Sequence, residues 1–521
     1  MRRLALLLSF CVGLLSLSQE ILWVRLLSFG QMGRPQAFAL VLVAFLAGIS
    51  AGAVVGRRIC ERSTRLWASA ARVLTWAAAL DVIALQLAAP MLDYTPLRLG
   101  MLMLLIALTA GAKGVVFPIV HHLGSPPSRE GLGRSVSRVY LANVMGSALG
   151  PLVTGFWMLN VLRVESAWAI LVTGTATLAL ACLAVAPQRR PAWFGLPALL
   201  LGLGVFLVLQ PLAVIEKVAS GTDGDSTRIH QLVQNKHGIL HTVRDDEGDV
   251  TYGGNAYDGR VAVDMSVNSN MLDRAYLMAV LHPRPRRVLV IGLSTGAWTQ
   301  AILGFPGIQQ VDVVEINPGY KTLIANQPVV ASLLEDSRVR LHFDDGRRWL
   351  RAHPGTRYDL IFQNTTFHWR AYTSLLLSRE YLQELSRHLT EGGIAAMNTT
   401  SSRDAYATAL DTFKHVVRYS NFAYMSDHPL QRRPDAEAAL RACRTGGQPS
   451  FTDALFAPSA VAWTLLHSPL VPASEYLASH TDGEPPTVIT DLNMVNEFRH
   501  GEPPLFGWLS KILPASPHGG S

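Results

Sequence analysis

The chain has 521 residues, of which 49% are hydrophobic and only 16% charged, where soluble chains usually carry about 25% charged residues. The length allows two or three domains, and the shortage of charge, concentrated in the N-terminal part, excludes a chain that is soluble throughout. The formal net charge of +7 is not read as a nucleic-acid footprint, because the N-terminal arginines flank apolar runs as a basic rim beside a bilayer does.

The start, Met1-Arg2-Arg3 followed by a Leu-rich run, imitates a signal peptide. A cleaved signal has a short apolar core, whereas here apolar character continues to about Phe29, so the segment is expected to stay as a helix. Spanning about 30 Å of hydrocarbon takes roughly 20 apolar residues. About seven runs qualify: Leu4–Phe29, Ala37–Gly56, Leu66–Ala89, Leu99–Val120, Val139–Leu162, Ser166–Ala186 and Trp193–Ile215. Small residues recur within them, at Ala47–Gly52 and Gly146–Gly150, where they let backbones approach closely. A packed multi-pass α-helical bundle over residues 1–216 is therefore expected, in contact with membrane lipid and in a bacterial inner membrane.

Ionisable residues fall inside these runs, among them Glu20, Arg25, Asp81 and Lys113. They are costly in hydrocarbon. The favoured reading is an interhelical ion pair or snorkelling, and the alternative is a polar pathway. Arginines crowd the connections after helices two, four and six (Arg57, Arg58, Arg62, Arg65, Arg129, Arg134, Arg138, Arg189, Arg190), while the alternate connections hold Arg34, Arg98 and Arg163. The positive-inside rule then places whatever follows a seventh helix on the outer side. The cofactor inferred below is a cytosolic metabolite and argues for the inner side, so the side stays open. The cysteines Cys11, Cys60, Cys182 and Cys443 form no zinc-type cluster, and no metal is expected.

After about Lys217 the composition turns polar. Gly221–Ser226 reads as a linker, and Arg228–Asp264, with short alternating runs at Ile239–Val243 and Arg260–Val263, as a small antiparallel β-subdomain. Together they span 217–280. Residues 281–500 read as a Rossmann-like α/β domain and 501–521 as a tail, with Pro514–Ser521 expected to be disordered. The strand Arg287–Ile291 ends in the turn Gly292-Leu293-Ser294-Thr295-Gly296, and a helical stretch follows. This is how nucleotide-binding sheets open. A second strand, Val311–Val314, ends in Glu315, placed where an acid accepts both ribose hydroxyls. A third unit ends at Asp344-Asp345-Gly346 and a fourth strand at Gln363-Asn364. Ligands of such sheets lie at the C-terminal strand ends, where Gly292, Glu315, Asp345 and Asn364 converge.

At these residues, and over roughly Arg228 to Ser402, the sequence resembles the spermidine synthase family, in its membrane-fused branch. Leu376–Tyr381 and Leu389–Ile394 fit the same likeness. The resemblance implies a transferase that takes decarboxylated S-adenosylmethionine as substrate; the departures named below open a lyase reaction and S-adenosylmethionine itself as substrate. An amine attacks the carbon beside the sulfonium and methylthioadenosine leaves. It implies cofactor binding by Gly292, Thr295, Gly296, Glu315 (ribose) and Asp345 (near adenine), and a polyamine as partner.

Three departures stand against ordinary spermidine synthesis. Thr295 replaces the acid that holds the cofactor's ammonium, Asn364 replaces the acid that activates the amine, and Phe367 replaces a second acid three residues later. An amide is no general base at neutral pH. A neutral Thr295 tolerates the carboxylate of intact S-adenosylmethionine, and Arg370 is a candidate partner for it. The expected activity is cleavage of the sulfonium–alkyl bond with release of methylthioadenosine, by intramolecular cyclisation that needs little base assistance. Alternatives are ordinary polyamine aminopropyl transfer, a catalytically silent nucleotide sensor coupled to the bundle, and a methyltransferase. Asn364, Tyr276 and Arg370 are the candidate catalytic residues, Tyr276 on a helix expected to face the pocket. Tyr257-Asp258-Gly259 reads as a turn, His237 and His241 as packing or surface residues, and Ala405–Val417 as a helix.

Overall fold

The structure is a computed structural model and describes residues 2–92, 95–125, 132–187, 190–220, 228–364, 367–480 and 484–500. The expected linker Gly221–Ser226, the tail 501–521, and Arg129 and Arg189 lie outside the described residues. The chain divides near residue 226 into two compact units, so the β-subdomain and the Rossmann-like sheet belong to one unit.

Among the described residues of the first unit, seven helices are long and apolar enough to cross a membrane. They begin with α1 (Arg2–Gly30), α2 (Gln36–Arg62) and α3 (Leu66–Ala88). The fourth candidate span, Pro96–Gly124, is built from α4 (Pro96–Gly114) and α5 (Val116–Gly124). Then come α6 (Leu132–Leu152), α7 (Val164–Val185) and α8 (Gly195–Leu209). Pro151 lies inside α6 and has no N–H to donate, and a π-helical stretch, Val153–Met158, follows it. The last span stops at Leu209 rather than continuing to Ile215. Large apolar side chains stand exposed on the bundle, among them Val43, Leu46, Leu104 and Phe156. Such a surface suits contact with lipid tails or another apolar partner.

The expected small-residue contacts are present. A Cβ on Gly48 would lie 2.1 Å from the carbonyl oxygen of Ala107, and one on Gly146 2.0 Å from that of Phe10. Glycine is what lets α2 meet α4, and α6 meet α1, backbone to backbone. Two of these ionisable residues pair as expected: Lys113 Nζ lies 2.5 Å from Asp81 Oδ2 with both side chains buried. Gln19 closes the cluster, donating to Asp81 Oδ1 (2.6 Å) and accepting from Lys113 (2.7 Å).

The second unit opens with a four-stranded antiparallel sheet, β1 (Ile229–Asn235), β2 (Gly238–Val243), β3 (Val250–Gly253) and β4 (Ala256–Arg260). The eight-stranded sheet that follows has the order β12-β10-β11-β9-β8-β5-β6-β7. Its strands are β5 (Arg287–Ile291), β6 (Gln310–Glu315), β7 (Val339–Phe343), β8 (Tyr358–Gln363), β9 (Leu389–Asn398), β10 (His415–Tyr419), β11 (Phe422–Ser426) and β12 (Val471–Pro472). β7, β6, β5, β8 and β9 run parallel; β11, β10 and β12 are antiparallel additions. Alternate residues feed opposite faces, Val288 and Val290 one core, Leu289 and Ile291 the other. That is the burial of a sheet covered on both sides. The expected helix Ala405–Val417 is instead a helix Arg403–Thr412 followed by β10, because β-branched Val416 and Val417 pair with β11.

Candidate active site

The strand order reverses between β5 and β8, which makes the crevice at their C-terminal ends the topological switch point. β5 ends at Ile291, and Gly292 (φ 92°) turns the chain away. A Cβ there would lie 2.9 Å from the carbonyl oxygen of Asn364. Gly292 N donates to Val314 (3.0 Å), and Asn364 N donates to Ile291 (3.3 Å), so the ends of β6, β5 and β8 are held together. Ser294 takes a left-handed conformation (φ 47°), and its hydroxyl donates to the carbonyl oxygen of Asp258 at 2.7 Å, tying the turn to β4. Gly296 (φ 76°) starts the helix Ala297–Leu303, whose first N–H donates to Thr295 Oγ1 (3.3 Å).

Glu315 ends β6 and is buried. Its Oε2 accepts the N–H of Leu293 from the glycine turn and its Oε1 that of Asn317, each at 2.8 Å. Burial outweighs these two donors and pushes its carboxyl up to about 7, with nearby Asp258 adding to the rise. The ionised carboxylate keeps acceptor capacity for a ligand's hydroxyls. Asp345 follows β7 and caps the helix Gly346–Ala352, accepting from Arg348 N at 2.8 Å while exposed at the rim. Its neighbour Asp344 accepts from Arg348 Nε (2.5 Å), and that bond holds its carboxyl below the usual range.

A cavity of about 420 Å³ opens between β4 and the ends of β8 and β9, lined by Tyr257, Asp258, Asn270, Arg274, Trp298, Asn364, Phe367, Asn398, Thr400 and Asn421, among others. Its size suits a small molecule. One wall is a chain of amides. Asn398 donates to Asn364 Oδ1 (3.0 Å), Asn421 donates to Asn398 Oδ1 (2.8 Å), and Arg274 donates to Asn421 Oδ1. The Arg274 guanidinium stacks 4.9 Å from the Trp298 ring and 5.2 Å from that of Phe422. Burial holds it below the usual arginine range.

Gly292, Thr295, Gly296, Glu315 and Asn364 thus meet around the ends of three adjacent strands, with Asp345 one strand further out. Two candidates are placed elsewhere. Tyr276, expected to face the pocket, points into the core: its hydroxyl lies 3.0 Å from Thr445 Oγ1 and its ring 4.8 Å from that of Phe451. The helix Asp273–Leu281 advances about 100° per residue, so with Arg274 toward the cavity, Tyr276 faces away. Arg370 is not among the described residues that line the cavity. It is partly buried beside Asp258 and Tyr320, and burial lowers its guanidinium below the usual arginine range against the pull of the Asp258 carboxylate. A Cβ on Gly254 would lie 2.7 Å from its guanidinium. Thr365 and Thr366, within the stretch Gln363–Tyr372 expected to wall the pocket, lie outside the described residues.

Sequence reading missed Asp258, Arg274, Asn398 and Asn421. Asp258 accepts from the Tyr320 hydroxyl, and burial raises its carboxyl above the usual range. Its place in Tyr257-Asp258-Gly259 suggested only a turn. Arg274 carried one signal, a charge in the first turn of a mostly apolar helix. The two asparagines carried none. His241 is buried on β2, stacked on Tyr252 and pushed down to about 4, while His237 lies in the preceding turn. Among the described residues no group of three or more His, Cys, Asp or Glu is placed to hold a metal ion.

Fold and site together define a Rossmann-type α/β domain with its pocket at the switch point and an acid at the end of the second strand. Residues 270–425 match the family model described as the spermine/spermidine synthase domain. A curated relative, polyamine aminopropyltransferase 2 of Streptomyces coelicolor, is 27% identical over 304 residues, 55% of this chain and 52% of the relative. The polyamine aminopropyltransferase of Agathobacter rectalis is 33% identical over 118 residues, 22% of this chain and 40% of the relative. The chain thus spans about half the length, or less, of these relatives. A solved spermidine synthase in complex with the transition-state analogue AdoDATO aligns with 16% identity and a TM-score of 0.38, covering 46% of this chain and 86% of that one.

Proposed function

We propose that the chain is a membrane-anchored enzyme that cleaves the sulfonium–alkyl bond of S-adenosylmethionine and releases methylthioadenosine. Glu315 receives the ribose hydroxyls, the turn Gly292–Gly296 approaches the adenosyl group, and Asp345 borders the adenine. The observation that carries the reading is the amide wall Asn364–Asn398–Asn421 ending in Arg274. Activating an amine calls for a base at this wall, and a polyamine calls for carboxylates. Amides and one guanidinium suit a substrate that brings its own carboxylate. In the proposed step a carboxylate oxygen of S-adenosylmethionine attacks the carbon beside sulfur. The C–S bond breaks with its electron pair going to sulfur, and neutral methylthioadenosine and a lactone leave. No proton needs removal before attack, and proximity supplies the rate. Arg274 takes the carboxylate-orienting role first expected of Arg370. The seven apolar helices hold the enzyme in the membrane.

Ordinary aminopropyl transfer to a polyamine is the second reading, favoured by the names of the relatives and by a carboxylate in the cavity wall, Asp258. Purified protein incubated with S-adenosylmethionine or its decarboxylated form, with and without putrescine, separates the two. Methylthioadenosine released without amine supports cyclisation. Release only with putrescine restores aminopropyl transfer, S-adenosylhomocysteine points to methyl transfer, and binding without turnover leaves a sensor.

A further inference from the structure

The helical unit carries a groove that the site above does not use. It lies between the end of α2 and the first half of α3, is closed below by Ala112 and Val115, and encloses about 740 Å³. Its walls are mostly apolar, with Val55 and Trp76 45% and 68% exposed. Three guanidinium groups border it: Arg58, Arg62 and Arg72. The nearby acid Glu61 is 3.6 Å from Arg57, outside the groove. Arg72 starts within the apolar part of α3, yet its side chain runs back along its own helix toward the Ala68 carbonyl and the Ser69 hydroxyl, each 3.4 Å away. A membrane helix sends an arginine head to the interface in this way.

Hydrocarbon alone leaves three cations without an anion, and a soluble anion leaves the apolar wall in water. One molecule meets both demands. We infer that the groove binds an anionic glycerophospholipid, with its phosphate among Arg58, Arg62 and Arg72 and an acyl chain along Val55 and Trp76. Basic pockets between membrane helices recognise headgroups by this combination of charge and apolar contact. The inference rests on reading the seven helices as membrane-spanning.

The test is native mass spectrometry of the full-length, detergent-purified chain with equal phosphatidylglycerol and phosphatidylcholine. The wild type is expected to retain phosphatidylglycerol preferentially, and each arginine removed should cut the preference about fivefold. R58Q/R62Q/R72Q should abolish it. R58K/R62K/R72K keeps the charges and should keep the preference, which separates charge loss from misfolding. R57Q/R65Q/R134Q, equal in charge change but outside the groove, should also keep it. Equal retention of both lipids by the wild type, equal loss in the control, or displacement by inorganic phosphate at the lipid's concentration overturns the proposal. Release of the chain from membranes by alkaline carbonate overturns the membrane reading and the groove with it; retention without lipid preference overturns the groove alone.

Discussion

Asn398 donates its side-chain amide hydrogen to Asn364 Oδ1 across 3.0 Å. That bond occupies the oxygen at the end of β8, and Asn398 is itself held by Asn421. Asn364 therefore stands in a wired amide wall with fixed orientation, and its neutrality is the feature to test. Asn364→Asp is expected to lower amine-independent release of methylthioadenosine from S-adenosylmethionine about tenfold, ~1.4 kcal/mol of barrier. The new carboxylate repels the substrate's own. Single-turnover assays measure this, and a variant faster than wild type without amine would sink the cyclisation reading.

Glu315 provides a pH signature. Its carboxyl lies at about 7, above the ordinary 4.5. The folded chain keeps this proton after an unfolded chain has lost it, so the group's contribution to stability falls as pH rises from about 4.5 through 7, by on the order of 3 kcal/mol. Ribose hydroxyls donate to the ionised form, so adenosyl binding should tighten over the same rise, with affinity roughly tenfold weaker at pH 6 than at pH 8. Calorimetric titrations at both pH values check it. Glu315→Gln should bind weakly and without that slope, because an amide nitrogen would face the N–H of Leu293 or Asn317. An equal slope in both proteins would contradict the assignment.

Arg274 discriminates between substrates. Stacked on Trp298 and Phe422, its planar fork has no equivalent in lysine. Arg274→Lys is expected to weaken binding of S-adenosylmethionine about tenfold, ~1.4 kcal/mol, and to leave binding of the decarboxylated form nearly unaffected. Calorimetric titrations with the two compounds decide; equal changes would show that Arg274 does not read the carboxylate.

In the bundle, Asp81→Asn leaves the buried Lys113 ammonium without its anion. The expected cost is about 3–5 kcal/mol, and the double variant D81N/K113Q should recover most of it. Thermal unfolding in detergent compares them. A double variant no more stable than the single one would mean that the pair does more than neutralise itself.

Much was legible in local pattern. Apolar run length marked the seven helices, small-residue spacing marked where they touch, and strand–glycine–helix succession with Glu315 marked the switch point. Asp81 and Lys113 stood out as an anomaly. The amide wall was illegible because Asn398 and Asn421 come from β9 and from the turn before β11 and meet Asn364 only when the sheet forms. Tyr276 was misplaced because one residue's difference in helical register turns a side chain by about 100°, and nothing in a nine-residue helix buried along most of its length marks which side meets the cavity.

The sequence by itself determined the two-part architecture, the helical spans, the Rossmann-like order and the positions of Gly292, Glu315 and Asn364, because periodicity, turn chemistry and strand ends are local properties of the chain. Only the tertiary structure decided which side chains share the pocket with Asn364. Arg274, Asp258, Asn398 and Asn421 enter it and Tyr276 and Arg370 do not, because side-chain direction follows from packing between distant segments, and that packing is set by the whole fold.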